Sequence, residues 1–207
     1  MKIVMFNLKG GQGKSSIALN LALTLKMNVI SNDAITQIED ILPEDNFLNI
    51  GRDEDFPDIE ETNIDIIYDL GGWLDNRIFK VVEQADLVII PMINGIMNNK
   101  TSLNSIEQMK KITKKILIIA NKTKKDDYAI ICELIKRYFP DDNFPVLELK
   151  ETTAFEKILE KEKSIGDIVE NDKLLRFSYH RVVEQFDEII KYIKQIEANN
   201  EWNIEGL

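Results

Sequence analysis

The stretch from Ile3 to Leu23 leaves this chain few folds to choose from. An apolar run, Ile3-Val4-Met5-Phe6, reads as a buried first strand. The segment Lys9-Gly10-Gly11-Gln12-Gly13-Lys14-Ser15 follows, and Ser16 to Leu23 reads as a helix. Strand, glycine-rich loop and helix are together the context of a phosphate-binding loop. The glycines let backbone N–H groups turn inward toward an anion with no Cβ in the way. The helix then presents its unpaired N–H groups and partial positive charge to the same anion. Gly10, Gly11, Gln12, Gly13, Lys14, Ser15 and Ser16 are therefore the expected nucleotide-binding residues. Lys14 would bring a mobile charge to the β- and γ-phosphates, and Ser15 a hydroxyl to Mg²⁺.

The usual Walker A pattern has a glycine five places before the Gly-Lys pair, where this chain has Leu8. It carries instead an extra lysine, Lys9, at the loop's start. In both respects the run closely resembles the deviant Walker A of the ParA/MinD ATPases. The resemblance implies ATP and Mg²⁺ as ligands. It also implies an ATP-dependent homodimer in which Lys9 reaches the partner's nucleotide and shares catalytic duty with Lys14.

The composition narrows the setting. No apolar run approaches 18 residues, so no membrane span is expected. The single cysteine, Cys132, excludes intrachain disulfides and fits a reducing cytosol. It sits in an apolar helical pattern and reads as core. The formal net charge is −10, but it is unevenly spread. Residues 39–61 hold ten acidic side chains against Arg52 alone. Residues 100–125 hold eight lysines (100, 110, 111, 114, 115, 122, 124, 125) against Glu107. That basic stretch suits a phosphate-binding surface and equally a solvated helix flank with its loop.

Along the chain, Met27–Ser31 is a short strand that runs on to Asn32-Asp33. A carboxylate at a strand's C-terminal end faces the crevice where ligands sit in open α/β sheets. Asp33 and Gln37 match the first and last residues of the family's D-x-D-P-Q motif, whereas Ile35 and Thr36 depart from it. The resemblance places Asp33 near the attacking water. Residues 38–61 read as a short helix, a strand at 47–50 and loop. Ile64–Asp69 is a clear strand, and Asp69 resembles the Walker B aspartate that holds Mg²⁺ through its water shell. Gly71 and Gly72 would let the backbone pass close to the terminal phosphate and switch on hydrolysis.

A helix over 74–84 leads to the strand Asp86–Pro91, whose "ADLVIIP" resembles the same strand of ParA proteins. Residues 101–112 read as a helix with Leu103, Ile106 and Met109 inward, followed by a strand at 116–120. Asn121 ends that strand, and the resemblance implies that its amide contacts adenine. The segment 121–124 is close to the guanine motif N-K-x-D, but Lys124 replaces the required aspartate. A helix over 128–138 and a strand over 144–149 follow. Thr153 and Glu156 have capping-box spacing. Phe155, Ser164 and Ile165 match a further ParA stretch, whose arginine and glycine are not in place. The last long helix, about 173–197, carries Phe177, Val182, Phe186, Ile189, Ile190 and Ile193 as an apolar stripe. His180, with no partner ligand nearby in sequence, reads as a surface side chain.

Strands and helices alternate throughout, so the expected fold is α/β, a doubly wound and mostly parallel sheet flanked by helices. One P-loop ATPase domain is expected over residues 1–198, with a flexible acidic tail over 199–207. That tail does not resemble the basic amphipathic membrane helix that ends MinD-type proteins, so no membrane partner is expected. The start of the chain resembles the short ParA class without an N-terminal helix-turn-helix. The resemblance implies a cytoplasmic ATPase that binds non-specific DNA and segregates plasmids with a ParB-like partner. The alternatives are a MinD-like positioning switch on a protein or membrane surface, and a cofactor-loading ATPase of the same superfamily.

Overall fold

In the computed structural model, seven parallel strands form one sheet in the order β3-β2-β4-β1-β5-β6-β7. The structure describes residues 1–33, 36–51, 54–57, 64–73 and 75–205, of which the last six are described by backbone alone. The strands are β1 (Lys2–Met5), β2 (Asn28–Ser31), β3 (Phe47–Asn49), β4 (Ile66–Asp69), β5 (Leu87–Met92), β6 (Ile116–Thr123) and β7 (Val146–Lys150). The helices among the described residues are α1 (Lys14–Leu25), α2 (Asn76–Glu83), α3 (Ile96–Met109), α4 (Asp127–Tyr138), α5 (Ala154–Lys161), α6 (Ile165–Glu170) and α7 (Lys173–Glu205). None of them is long and apolar enough to cross a membrane.

Both faces of the sheet are covered, and the alternation along each strand shows how. Ile3 and Met5 of β1, Leu87 and Ile89 of β5, and Leu117 and Ile119 of β6 point into one core with α1, α5, α6 and α7. Val4, Val88, Ile90, Ile116 and Ile118 point into the other, with α2, α3 and α4. Side chains on a strand alternate between faces, and both faces here are dry. That is why the strands read as continuous apolar runs. The central strand β1 is completely buried from Ile3 to Met5, as is Phe6 after it.

Several expectations change in the structure. Helix α3 begins at Ile96, and α7 extends to Glu205 rather than ending near Glu197. In place of the short helix expected before β3 there is a single 3₁₀ turn, Glu44–Asn46. Thr153 caps nothing with its side chain; its hydroxyl meets the Tyr179 hydroxyl at 3.0 Å. The side-chain cap forms instead at Ser164, which accepts from the Asp167 N–H and donates to its carboxylate. Of the α7 stripe, Phe177 is 80% exposed, because Leu175 and Tyr179 on either side of it take the inward face and turn it outward. Cys132 is half-buried on α4 rather than core. Ile35 and Arg52 lie outside the described residues, as does Leu74, while α2 starts behind Asp75, whose carboxylate accepts from the Arg77 and Ile78 N–H groups.

Candidate nucleotide site

Parallel pairing places all strand C-termini on one edge of the sheet. Met5 and Ser31 both stand opposite Asp69 in register, so β1, β2 and β4 end at one level. Three loops therefore converge there: the glycine-rich loop, the turn Asn32-Asp33, and Leu70-Gly71-Gly72.

The glycine-rich loop has the conformation that its glycines allow. Gly11 and Gly13 have φ of 75° and 89°, in the left-handed region. At Gly13 a Cβ would also stand 2.3 Å from Asn121 Nδ2, so the position is closed to side chains twice over. Helix α1 starts at Lys14, directly behind Gly13, and aims its free N–H groups at the loop's interior.

Lys14 is only 8% exposed. Burial holds its pKa below the usual lysine value, while the charges of Asp69 and Asp33 pull it back up. Asp69 is more deeply buried still, at 1% exposure. Burial pushes its carboxyl above the usual range, opposed by the Ser15 hydroxyl and by Lys14, with Asp33 adding to the rise. Ser15 is near enough to affect Asp69, yet among the described residues neither carboxylate oxygen meets the geometry of a hydrogen bond. A buried carboxylate with no partner is costly. Those two oxygens fit Mg²⁺, which takes one or two protein oxygens and completes its shell with water and phosphate. Ser15 and Asp69 would hold it. No group of three or more His, Cys, Asp or Glu side chains among the described residues offers a metal cage.

The structure also shows what holds the loop, which the sequence reading did not anticipate. Asn7 is completely buried, and its amide donates to the Pro91 carbonyl and to Ser102 Oγ, each at 2.8 Å. Its Oδ1 accepts from the Lys9 N–H at 2.9 Å and from Ser105 Oγ at 3.3 Å. Ser105 in turn accepts from the Leu8 N–H at 3.0 Å. Gln12, 2% exposed, turns its side chain away from the loop's interior: Oε1 accepts from the Ile93 N–H and Nε2 donates to Asn98. The loop is thereby tied to β5 and α3. A signal was present in the sequence: a polar residue closing an apolar strand, and two serines three apart on a buried helix face. Lys9 is half-buried and in no ion pair among the described residues.

Asn121 lies beside the loop, 2% exposed. Its amide donates to the Gln12 carbonyl at 2.7 Å, and its Oδ1 accepts from the Lys122 N–H at 2.9 Å. One amide hydrogen and one lone pair remain for a base. A cavity of about 180 Å³ opens next to it, lined by Gly13, Ser16, Asn121, Lys122, Phe155 and Leu159 among others. Gln37 and Thr36 line a second cavity with Ser15 and Ser16, so the end of the matched D-x-D-P-Q segment does come to the loop. The lysines of residues 100–125 separate. Lys110, Lys111, Lys114 and Lys115 precede β6, and Lys110 and Lys114 pair with Asp142. Lys122, Lys124 and Lys125 lie at its far end, eight residues or about 26 Å away.

Solved structures share this fold. McdA from Cyanothece in complex with ATP superposes with a TM-score of 0.63 at 15% identity, covering 93% of this chain and 96% of that one. MinD from Pyrococcus horikoshii with Mg-ADP does so with a TM-score of 0.63 at 14% identity, covering 94% and 98%. This chain has the ParA/MinD fold. A ParA family ATPase from Chlorobium tepidum superposes at 0.53 and 18% identity, covering 84% and 94%. No family model and no curated protein sequence matches the chain. The resemblance drawn from residues 9–16 thus holds at the level of the ParA/MinD fold, and at these identities the fold is what the likeness shows.

Proposed function

We propose that this chain is a ParA-like, Mg²⁺-dependent ATPase that dimerises on ATP, binds DNA without sequence preference and segregates a DNA cargo with a ParB-like partner. The observation that carries the reading is a buried lysine, Lys14, in the field of two strand-end aspartates, with a second lysine, Lys9, at the start of the same glycine loop. Phosphoryl transfer needs mainly positioning and charge neutralisation. Lys14 and the loop N–H groups hold the phosphates, Ser15 and Asp69 hold Mg²⁺, and Asp33 positions the attacking water. Lys9 neutralises charge on the nucleotide of a second subunit. Asn121 and the neighbouring cavity take the adenine. The ATPase domain spans residues 1–198, and the protein works in the cytoplasm, on the nucleoid when ATP is bound.

A second reading, a switch that acts on a protein or membrane surface, draws support from the divided lysines. They leave no single basic patch of the kind the sequence suggested. One experiment separates the two: binding to random-sequence duplex DNA at low salt with ATP, with ADP and without nucleotide, beside Lys9→Ala. Binding with ATP alone, weakened by salt and lost in the variant, is the expected result. ATP-driven dimers with no affinity for DNA in any state would overturn the partition reading in favour of the surface switch.

A further inference from the structure

The strand end that carries Asp33 holds a second polar group with unfinished hydrogen bonding. Asn32 is 6% exposed. Its Oδ1 accepts from the Gly71 N–H at 2.5 Å, across from β2 to the loop after β4. That donor settles which way round the amide sits, since only the oxygen can accept from a backbone N–H. Nδ2 is therefore the other end. It is buried and has no hydrogen-bond partner among the described residues. An unmet buried donor costs on the order of 1–3 kcal/mol.

The surroundings point to a use for it. On one side Ser31 donates to the Asp69 carbonyl at 3.2 Å and accepts from the Asp33 N–H at 3.1 Å. On the other side Gly71 leads into Gly72, where a Cβ would stand 2.5 Å from the Leu8 carbonyl oxygen. The backbone of Gly72 is thus pressed against the start of the glycine loop. Asn32 joins these two features: it ties the Gly71-Gly72 turn to the strand end that carries Asp33. The partnerless oxygens in the same region belong to Asp69, and the charged donor to Lys14.

We infer that Asn32 is a positioning residue that reads the terminal phosphate. Its Oδ1 holds the Gly71-Gly72 turn against the glycine loop, and its Nδ2 donates to an oxygen of the γ-phosphate. This rests on the nucleotide reading of the site. A hydrogen bond to a charged oxygen that ADP lacks makes Asn32 a discriminator between the two nucleotides, coupled through Gly71 to the turn that must respond to hydrolysis.

The test measures affinity for a non-hydrolysable ATP analogue and for ADP, with Mg²⁺, in wild-type protein, Asn32→Asp and Asn32→Leu. The aspartate keeps an acceptor for Gly71 and removes the donor; the leucine removes both without adding charge. The expected result in both variants is an analogue affinity about tenfold lower, with ADP affinity within about twofold of wild type. Thermal unfolding without nucleotide checks the other half: Asn32→Leu, which leaves the Gly71 N–H unmet, melts lower. An unchanged analogue-to-ADP ratio in both variants would overturn the inference and leave Asn32 a purely structural link. Wild-type protein that binds neither nucleotide would overturn the nucleotide reading, and this inference with it.

Discussion

The phosphate end and the base end of the candidate site are built on different terms. At the phosphate end, Lys14 and Asp69 are buried on rigid elements of the central sheet, and the loop between them is tied to β5 and α3 by Asn7, Gln12, Ser102 and Ser105. At the base end the cavity wall comes from Phe155 and Leu159 on the eight-residue helix α5, with Leu159 36% exposed. Asn121 links the two ends through its bond to the Gln12 carbonyl, and Gly13 and Ser16 belong to both. Charge chemistry tolerates little displacement, because its energy depends on fixed geometry in a dry site. Burial of a flat apolar ring tolerates more, because it is non-directional and scales with area.

Substitutions at the two ends should therefore differ in size. Lys14→Ala should lower nucleotide affinity by about a thousandfold, by analogy with the loss of a buried, pre-positioned charge. Isothermal titration with ATP checks it, and unchanged affinity would remove the phosphate-loop assignment. Asp33→Ala should slow turnover by about a hundredfold while leaving ATP-driven dimers long-lived, as loss of a water-positioning group does. Wild-type phosphate release would show that Asp33 is not the matched aspartate.

Asp69→Asn should act in two directions. It should cut the Mg²⁺-dependent part of ATP affinity by about tenfold. It should also raise the melting temperature of the nucleotide-free protein, because burial disfavours the charged carboxylate there. A lower melting temperature with unaltered Mg²⁺ dependence would mark Asp69 as a structural carboxylate. Phe155→Ala, at the base end, should weaken ATP binding by only about fivefold, the worth of part of an aromatic face. An effect there as large as at Lys14 would erase the contrast between the two ends.

Much of the fold could be read directly. The inner strands are visible as apolar runs because both sheet faces are covered, and the loop is visible because Gly11 and Gly13 need left-handed backbone. The candidate site was legible where a residue's placement depends on its immediate neighbours in sequence, as for Lys14 and Ser15 at the start of α1. It was illegible where the role depends on a distant partner. Thr153 has capping-box spacing, yet its hydroxyl goes to Tyr179, 26 residues away, while Ser164 makes the cap. Lys110 to Lys115 and Lys122 to Lys125 adjoin in sequence and divide in space because β6 runs between them. Phe177 reads as part of the apolar stripe of α7, but at about 3.6 residues per turn it falls on the side opposite Phe186 and stands exposed.

By itself, the sequence determined which segments become strands and helices and where a glycine loop meets a helix N-terminus. Apolar alternation, glycine backbone freedom and helix polarity all act within a few residues. Only the tertiary structure decided that β4 lies between β1 and β2. That order sets Asp69 beside Lys14, joins Asn32 to Gly71, and brings the Gly72 backbone against Leu8. Strand order is chosen by packing whole helices over both sheet faces at once, a global balance of buried area and satisfied backbone groups that no local pattern encodes.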